Sequence, residues 1–128
     1  MTELSATALL LIAHGSRLKQ ANEDLEFVAI ELLKRGSYPV VQPCYLELSK
    51  PTIQEGGAKC VEKGATRVIL LPYFLSAGVH VRQDLHLARE ELAKTFPGVA
   101  FHLAEPLGRH PLLIEVVLQR AEEVSNSN

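Results

Sequence analysis

A chain of 128 residues with 13 basic and 15 acidic side chains, a net charge of −2 and 47% hydrophobic residues can bury a real core but is enough for only one domain. That balance, with no basic stripe interleaved with aromatics, argues against nucleic acid as the partner and leaves a small ligand. Cys44 and Cys60 are too far apart for a CxxC pair and suit buried thiols in a reducing cytosol. The first apolar run has no Lys or Arg before it and is too brief for a signal peptide or a membrane span, so a cytoplasmic protein with no membrane partner is expected.

The run Ala8, Leu9, Leu10, Leu11, Ile12 reads as a buried strand leading into Ala13, His14, Gly15, Ser16 and Arg17. Over 17–35, Ala21, Leu25, Val28, Ala29, Leu32 and Leu33 recur at helical spacing, and Gly36 marks the stop. Residues 40–46 read as a strand at the sheet's rim, because Pro43 within it cannot donate to a ladder. Ser49 as cap and Pro51 in the first turn open a second helix. Gly56 and Gly57 inside that helix imply close packing against the sheet, and Gly64 ends it. A third strand, 67–71, precedes a loop over 72–79 and a helix over 81–95 with Leu85, Ala88 and Leu92 on one side. After a fourth strand, 99–103, Glu105 sits in a strand-end loop. Pro111 then begins a helix whose Leu112, Leu113, Val116, Val117 and Arg120 fit a position on the sheet. Residues 125–128 are polar and expected to be disordered, which leaves 1–124 as a single domain. Strand and helix alternate four times, so the fold class is a three-layer α/β sandwich, a four-stranded parallel sheet flanked by helices.

In a parallel sheet the carboxyl ends of the strands share one edge. His14, Glu47, the segment ending at His80, and Glu105 therefore can face one crevice. Imidazole with carboxylate suits a borderline divalent ion such as cobalt, iron, nickel or zinc. Each residue also has a plainer role: His and Glu serve as ordinary loop residues, Gly15 permits a tight turn, and Ser16 caps a helix. Arg17, Arg82, Arg89 and Arg109 fall near the same edge, either as solvated charges or as partners for acidic substituents of a ligand.

The segments LLLIAHGSR, YLELSKPTI, VILLPYFLSAGVHVRQDL and AEPLGRHP, in that order and spacing, resemble the small sirohydrochlorin cobaltochelatases, class II chelatases of anaerobic cobalamin biosynthesis. The resemblance implies a metal-inserting lyase that puts Co²⁺, or else Fe²⁺ or Ni²⁺, into sirohydrochlorin with no cofactor beyond the substrate ion. It implies His14 and His80 as metal ligands and His14 as proton acceptor. Glu47 and the stretch Leu75, Ser76, Ala77, Gly78, Val79 and His80 are similar to the family's tetrapyrrole contacts. Insertion displaces two pyrrole protons, and an imidazole can accept one near neutral pH. The small residues Ser76, Ala77 and Gly78 let a flat macrocycle approach the backbone, where the family often has a bulkier pair before the glycine. A homodimer is expected, because one small sheet encloses a wide macrocycle poorly. Two other readings compete. A histidine phosphatase carries an Arg where this chain has Ala13, and a non-catalytic metal or tetrapyrrole carrier would use the same residues.

Overall fold

Every residue over 7–12 is buried, and a strand covered on both faces has to lie inside a parallel sheet. In the computed structural model of the chain, which describes residues 6–125, β1 (Thr7–Ala13) accordingly pairs in parallel with β2 (Val40–Tyr45) on one side and β3 (Arg67–Pro72) on the other. β4 (Ala100–Leu103) lies beyond β3, so the order is β2-β1-β3-β4. Pro43 stands opposite Leu11 on the rim strand, as its missing N–H requires.

Successive side chains of a strand point to opposite faces, so β1 serves two cores. Ala8, Leu10 and Ile12 pack with Ile53 and Cys60 of α2 (Ile53–Glu62) and with Leu85 and Leu92 of α3 (Val79–Thr95). Leu9 and Leu11 pack with Leu25 and Ala29 of α1 (Lys19–Arg35), which Gly36 ends in the left-handed conformation. Right-handed crossovers require this partition: the chain steps from β1 to β2 in one direction and returns past β1 to β3 in the other. Cys44 and Cys60 are free and fully buried core residues. Burial pushes the Cys60 thiol up to about 11 and raises that of Cys44 further. Among the described residues no helix is long and apolar enough to cross a membrane.

Several local expectations are corrected. Thr52 caps α2, not Ser49: its hydroxyl accepts the Glu55 N–H at 3.2 Å while the Glu55 carboxylate accepts the Thr52 N–H at 2.9 Å. That second bond holds the Glu55 carboxyl below its usual range. Gly56 does pack on the sheet, where a Cβ would stand 2.9 Å from Cys44 Cβ and Leu10 Cδ1, but Gly57 faces α3, with its Cβ position 2.5 Å from Leu92 Cδ2. α3 begins at Val79 because Gly78, in extended conformation, occupies its N-cap, so His80 belongs to the first helical turn and not to a loop. α4 (Pro111–Ser125) ends with Ser125, which was expected in a disordered tail; Asn126, Ser127 and Asn128 lie outside the described residues. Nor does α4 lie on the sheet. It has no buried residue, and Leu112, Ile114, Val117 and Val124 are each more than 60% exposed.

Candidate active site

The chain leaves β1 towards one side of the sheet and its next-but-one strand, β3, lies on the other, so the carboxyl ends of β1 and β3 border a crevice where the connections diverge. Such switch points are where open α/β sheets bind ligands. Backbone hydrogen bonds prolong the sheet into this crevice. The Tyr73 N–H donates to the Ile12 carbonyl at 2.7 Å, the Leu46 N–H to Ala13 at 2.9 Å, and the Glu47 N–H to His14 at 3.0 Å. His14 and Glu47 are therefore neighbours by main-chain pairing. Gly15 turns away at a φ of 98°, and a Cβ there would overlap the Glu47 carbonyl oxygen, so the turn requires glycine.

The next residues are tied down by side chains. The Ser49 hydroxyl donates to the Ser16 carbonyl at 2.6 Å and accepts from Asn22 Nδ2 at 2.7 Å, and the same nitrogen donates to the Ser16 carbonyl at 3.0 Å. Ser49 thus joins two strand-end loops, the role it has in place of the expected cap. The Tyr45 hydroxyl donates to the Asn22 carbonyl at 3.3 Å. Burial, followed by the charge of Glu26, pushes that phenol above its ordinary value and keeps it a donor.

The His14 ring is exposed and stacks on Phe74, with centroids 4.5 Å apart and planes at 28°. It makes no hydrogen bond among the described residues, so both nitrogens are open to a ligand or a proton. On one side lies a cleft of about 380 Å³ bordered by Glu47, Thr52, Gln54 and, from α3, Val81 and Asp84. On the other lies one of about 300 Å³ bordered by Ser16, Asn22, Asp24 and Tyr73. His80 is exposed on the first turn of α3 and lines neither cleft. Asp84, one turn further on the same face of the helix, does line the first. Among the described residues no three His, Cys, Asp or Glu side chains form a group that could hold a metal ion.

The other expected contacts lie beyond Phe74. Leu75 and Ser76 border a larger crevice of about 960 Å³ with Arg82, Glu105, Arg109 and residues of α4. The Ala77 carbonyl accepts Arg82 Nε at 3.1 Å, Gly78 caps α3, and Val79 is exposed. Phe74 joins the two regions, its ring on His14 and its carbonyl accepting the Leu107 N–H at 3.0 Å. Sequence reasoning missed Phe74 and Asp84. Phe74 follows the third strand much as His14 follows the first, and Asp84 stands four residues after His80.

Comparison with known proteins places these residues in a family context. The CbiX family model matches residues 8–124. The sirohydrochlorin ferrochelatase of Arabidopsis thaliana chloroplasts is 35% identical over 117 residues, covering 91% of this chain and 52% of the relative. The sirohydrochlorin cobaltochelatase of Sulfurisphaera tokodaii is 31% identical over 122 residues, covering 94% of this chain and 95% of the relative. The crystal structure of the sirohydrochlorin chelatase SirB from Bacillus subtilis subspecies spizizenii in complex with cobalt superposes with a TM-score of 0.84 at 28% identity, over 92% of this chain and 50% of that one. This chain spans about half the length of the plant relative and of the Bacillus structure.

Proposed function

The chain belongs to the CbiX family, and from that premise we propose that it inserts a divalent metal ion into sirohydrochlorin. Relatives named sirohydrochlorin ferrochelatase and sirohydrochlorin cobaltochelatase support the substrate. The observation that carries the reading to particular residues is the exposed His14 imidazole, stacked on Phe74 and beside Glu47 at the β1/β3 crevice.

Insertion exchanges two macrocycle N–H protons for M²⁺, so it needs a base facing the pyrrole nitrogens and donors that hold the ion while it sheds water. His14 serves as ligand and as acceptor of one proton, and the second proton passes to solvent. Glu47 supplies a carboxylate oxygen from the adjoining strand end. His80, on the helix that borders the same cleft, supplies the second imidazole. Leu75, Ser76, Ala77, Gly78 and Val79 form the edge against which the macrocycle lies. Proton and metal compete for these imidazoles, so ion loading favours the neutral rings. Co²⁺ is the ion proposed and Fe²⁺ the alternative, because relatives of both names match this chain.

A homodimer completes the proposal. The uncovered apolar residues of α4 support it. The two free thiols suit a cytoplasmic enzyme. The test is to incubate the purified chain with sirohydrochlorin and Co²⁺ or Fe²⁺ and follow the absorbance change. Catalysed metalation, faster with Co²⁺, is expected. A rate no faster than the spontaneous reaction refutes the function, and light scattering that gives an active monomer refutes the dimer.

A further inference from the structure

A crevice of about 960 Å³ lies between the strand-end loops and α4, and its lining combines two chemistries. One wall is apolar, from Leu75, Leu113, Val116 and Val117. The mouth carries two guanidiniums, Arg82 and Arg109, against one carboxylate, Glu105, on a chain whose net charge is −2. A locally cationic mouth beside an apolar wall fits a flat ligand whose body is apolar and whose periphery is anionic.

The two arginines are not equivalent. Arg82 is engaged: its Nε donates to the Ala77 carbonyl at 3.1 Å and a terminal nitrogen stands 3.8 Å from Glu105 Oε1. Arg109 makes no hydrogen bond or ion pair among the described residues, and it is held at a φ of 57°, a conformation that side-chain-bearing residues rarely adopt. The backbone before it is closely packed: the Leu107 N–H donates to the Phe74 carbonyl at 3.0 Å, and a Cβ on Gly108 would overlap the Leu75 carbonyl oxygen. Phe74 links this loop to the His14 ring, its carbonyl accepting the Leu107 N–H and its ring stacking on the imidazole.

We propose that this crevice seats the acidic periphery of the tetrapyrrole, with Arg109 binding a carboxylate and so selecting macrocycles that carry acetate or propionate groups. The proposal rests on sirohydrochlorin being the substrate. Arg109 is a binding and specificity residue; it neither ligates the ion nor takes a proton.

The experiment compares wild type, Arg109→Gln and Arg109→Lys in two measurements: titration of sirohydrochlorin binding by absorbance, and steady-state metalation with Co²⁺. Loss of one charge-assisted hydrogen bond should raise the dissociation constant and the KM for sirohydrochlorin about tenfold in Arg109→Gln. Its kcat and its KM for Co²⁺ should stay within about twofold, the signature of lost uniform binding. Arg109→Lys should recover part of the affinity. Methyl esterification of the substrate should weaken wild type more than Arg109→Gln, since the two changes remove the same contact. Unchanged sirohydrochlorin affinity in Arg109→Gln overturns the proposal. So does an altered oligomeric state with unaltered KM, which would make the crevice a protein interface. A wild-type chain that binds sirohydrochlorin without metalating it refutes the enzymatic reading, while the binding titration still decides the role of Arg109.

Discussion

Gly15→Ala should damage the site more than its size suggests. At a φ of 98° any side-chain-bearing residue is strained, at a cost of about 1–2 kcal/mol for the left-handed region. The added Cβ also falls on the Glu47 carbonyl oxygen, and backbone cannot swing aside as the end of a side chain can. Relief requires the two strand-end loops to part, which breaks the Glu47-to-His14 and Leu46-to-Ala13 hydrogen bonds, each worth about 1 kcal/mol net. The expected total is about 3–4 kcal/mol. Gly36→Ala is the control, because Gly36 is also left-handed, at 76°, with nothing within 4 Å of its Cβ position, so only the backbone cost applies. Urea denaturation of both variants isolates the clash as a difference of about 2 kcal/mol at constant m-value. Metalation should fall sharply in Gly15→Ala at urea-free conditions where it is still folded, since the parted loops carry His14 and Glu47. A Gly15→Ala variant that matches Gly36→Ala in stability and metalates at the wild-type rate refutes the reasoning.

His80→Ala should weaken Co²⁺ binding while leaving stability within about 0.5 kcal/mol of wild type, because the side chain is exposed on a helix turn; a Co²⁺ titration identical to wild type removes His80 from the metal path. Gly57→Ala sets a helix-propensity gain of about 1 kcal/mol against overpacking of about 1–3 kcal/mol on Leu92, which is fully buried, so a net loss of stability is expected. A melting temperature at or above wild type would show that Leu92 repacks freely. The buried thiols set an alkaline limit. Folding raises their pKa values, so the folded chain keeps protons that the unfolded chain releases above a pH of about 8.5. The stability this represents is whole below that pH and declines as pH rises towards the Cys60 value of about 11. Urea midpoints measured from about pH 8 to 10.5 should fall, and less steeply in Cys60→Ala; equal slopes refute the assignment.

The sheet was legible because its evidence is local. Continuous apolar runs identified β1 and β3, and Pro43 alone placed β2 at the rim. Helix starts were less so, because Ser49, Thr52 and Gly78 all carry cap chemistry, and which one serves depends on partners distant in sequence, such as Ser16 and Asn22 for Ser49. The periodicity of α4 correctly reported an apolar stripe, but a stripe does not say what covers it, and here it faces a crevice. Gly57 misled for the same reason: close approach was evident, the approaching element was not. His14 and Glu47 could be read as strand-end residues, whereas the ring of Phe74 and the carboxylate of Asp84 join them only through tertiary placement.

The hydrogen bonds that carry the sheet past the ends of β1 and β2 run entirely between peptide groups. The Cα positions of residues 14 and 47 are therefore set by atoms that every amino acid possesses, independently of which side chains stand there. Such a framework separates where a donor sits from what the donor is. With Glu47 as the carboxylate donor proposed above, its oxygen could be exchanged for a nitrogen or a sulfur without changing these backbone bonds, and a single substitution should then shift ion preference. Gly15 is the exception, and the same carbonyl contact that organises the turn makes it the one position of the segment where chemistry and scaffold cannot vary apart.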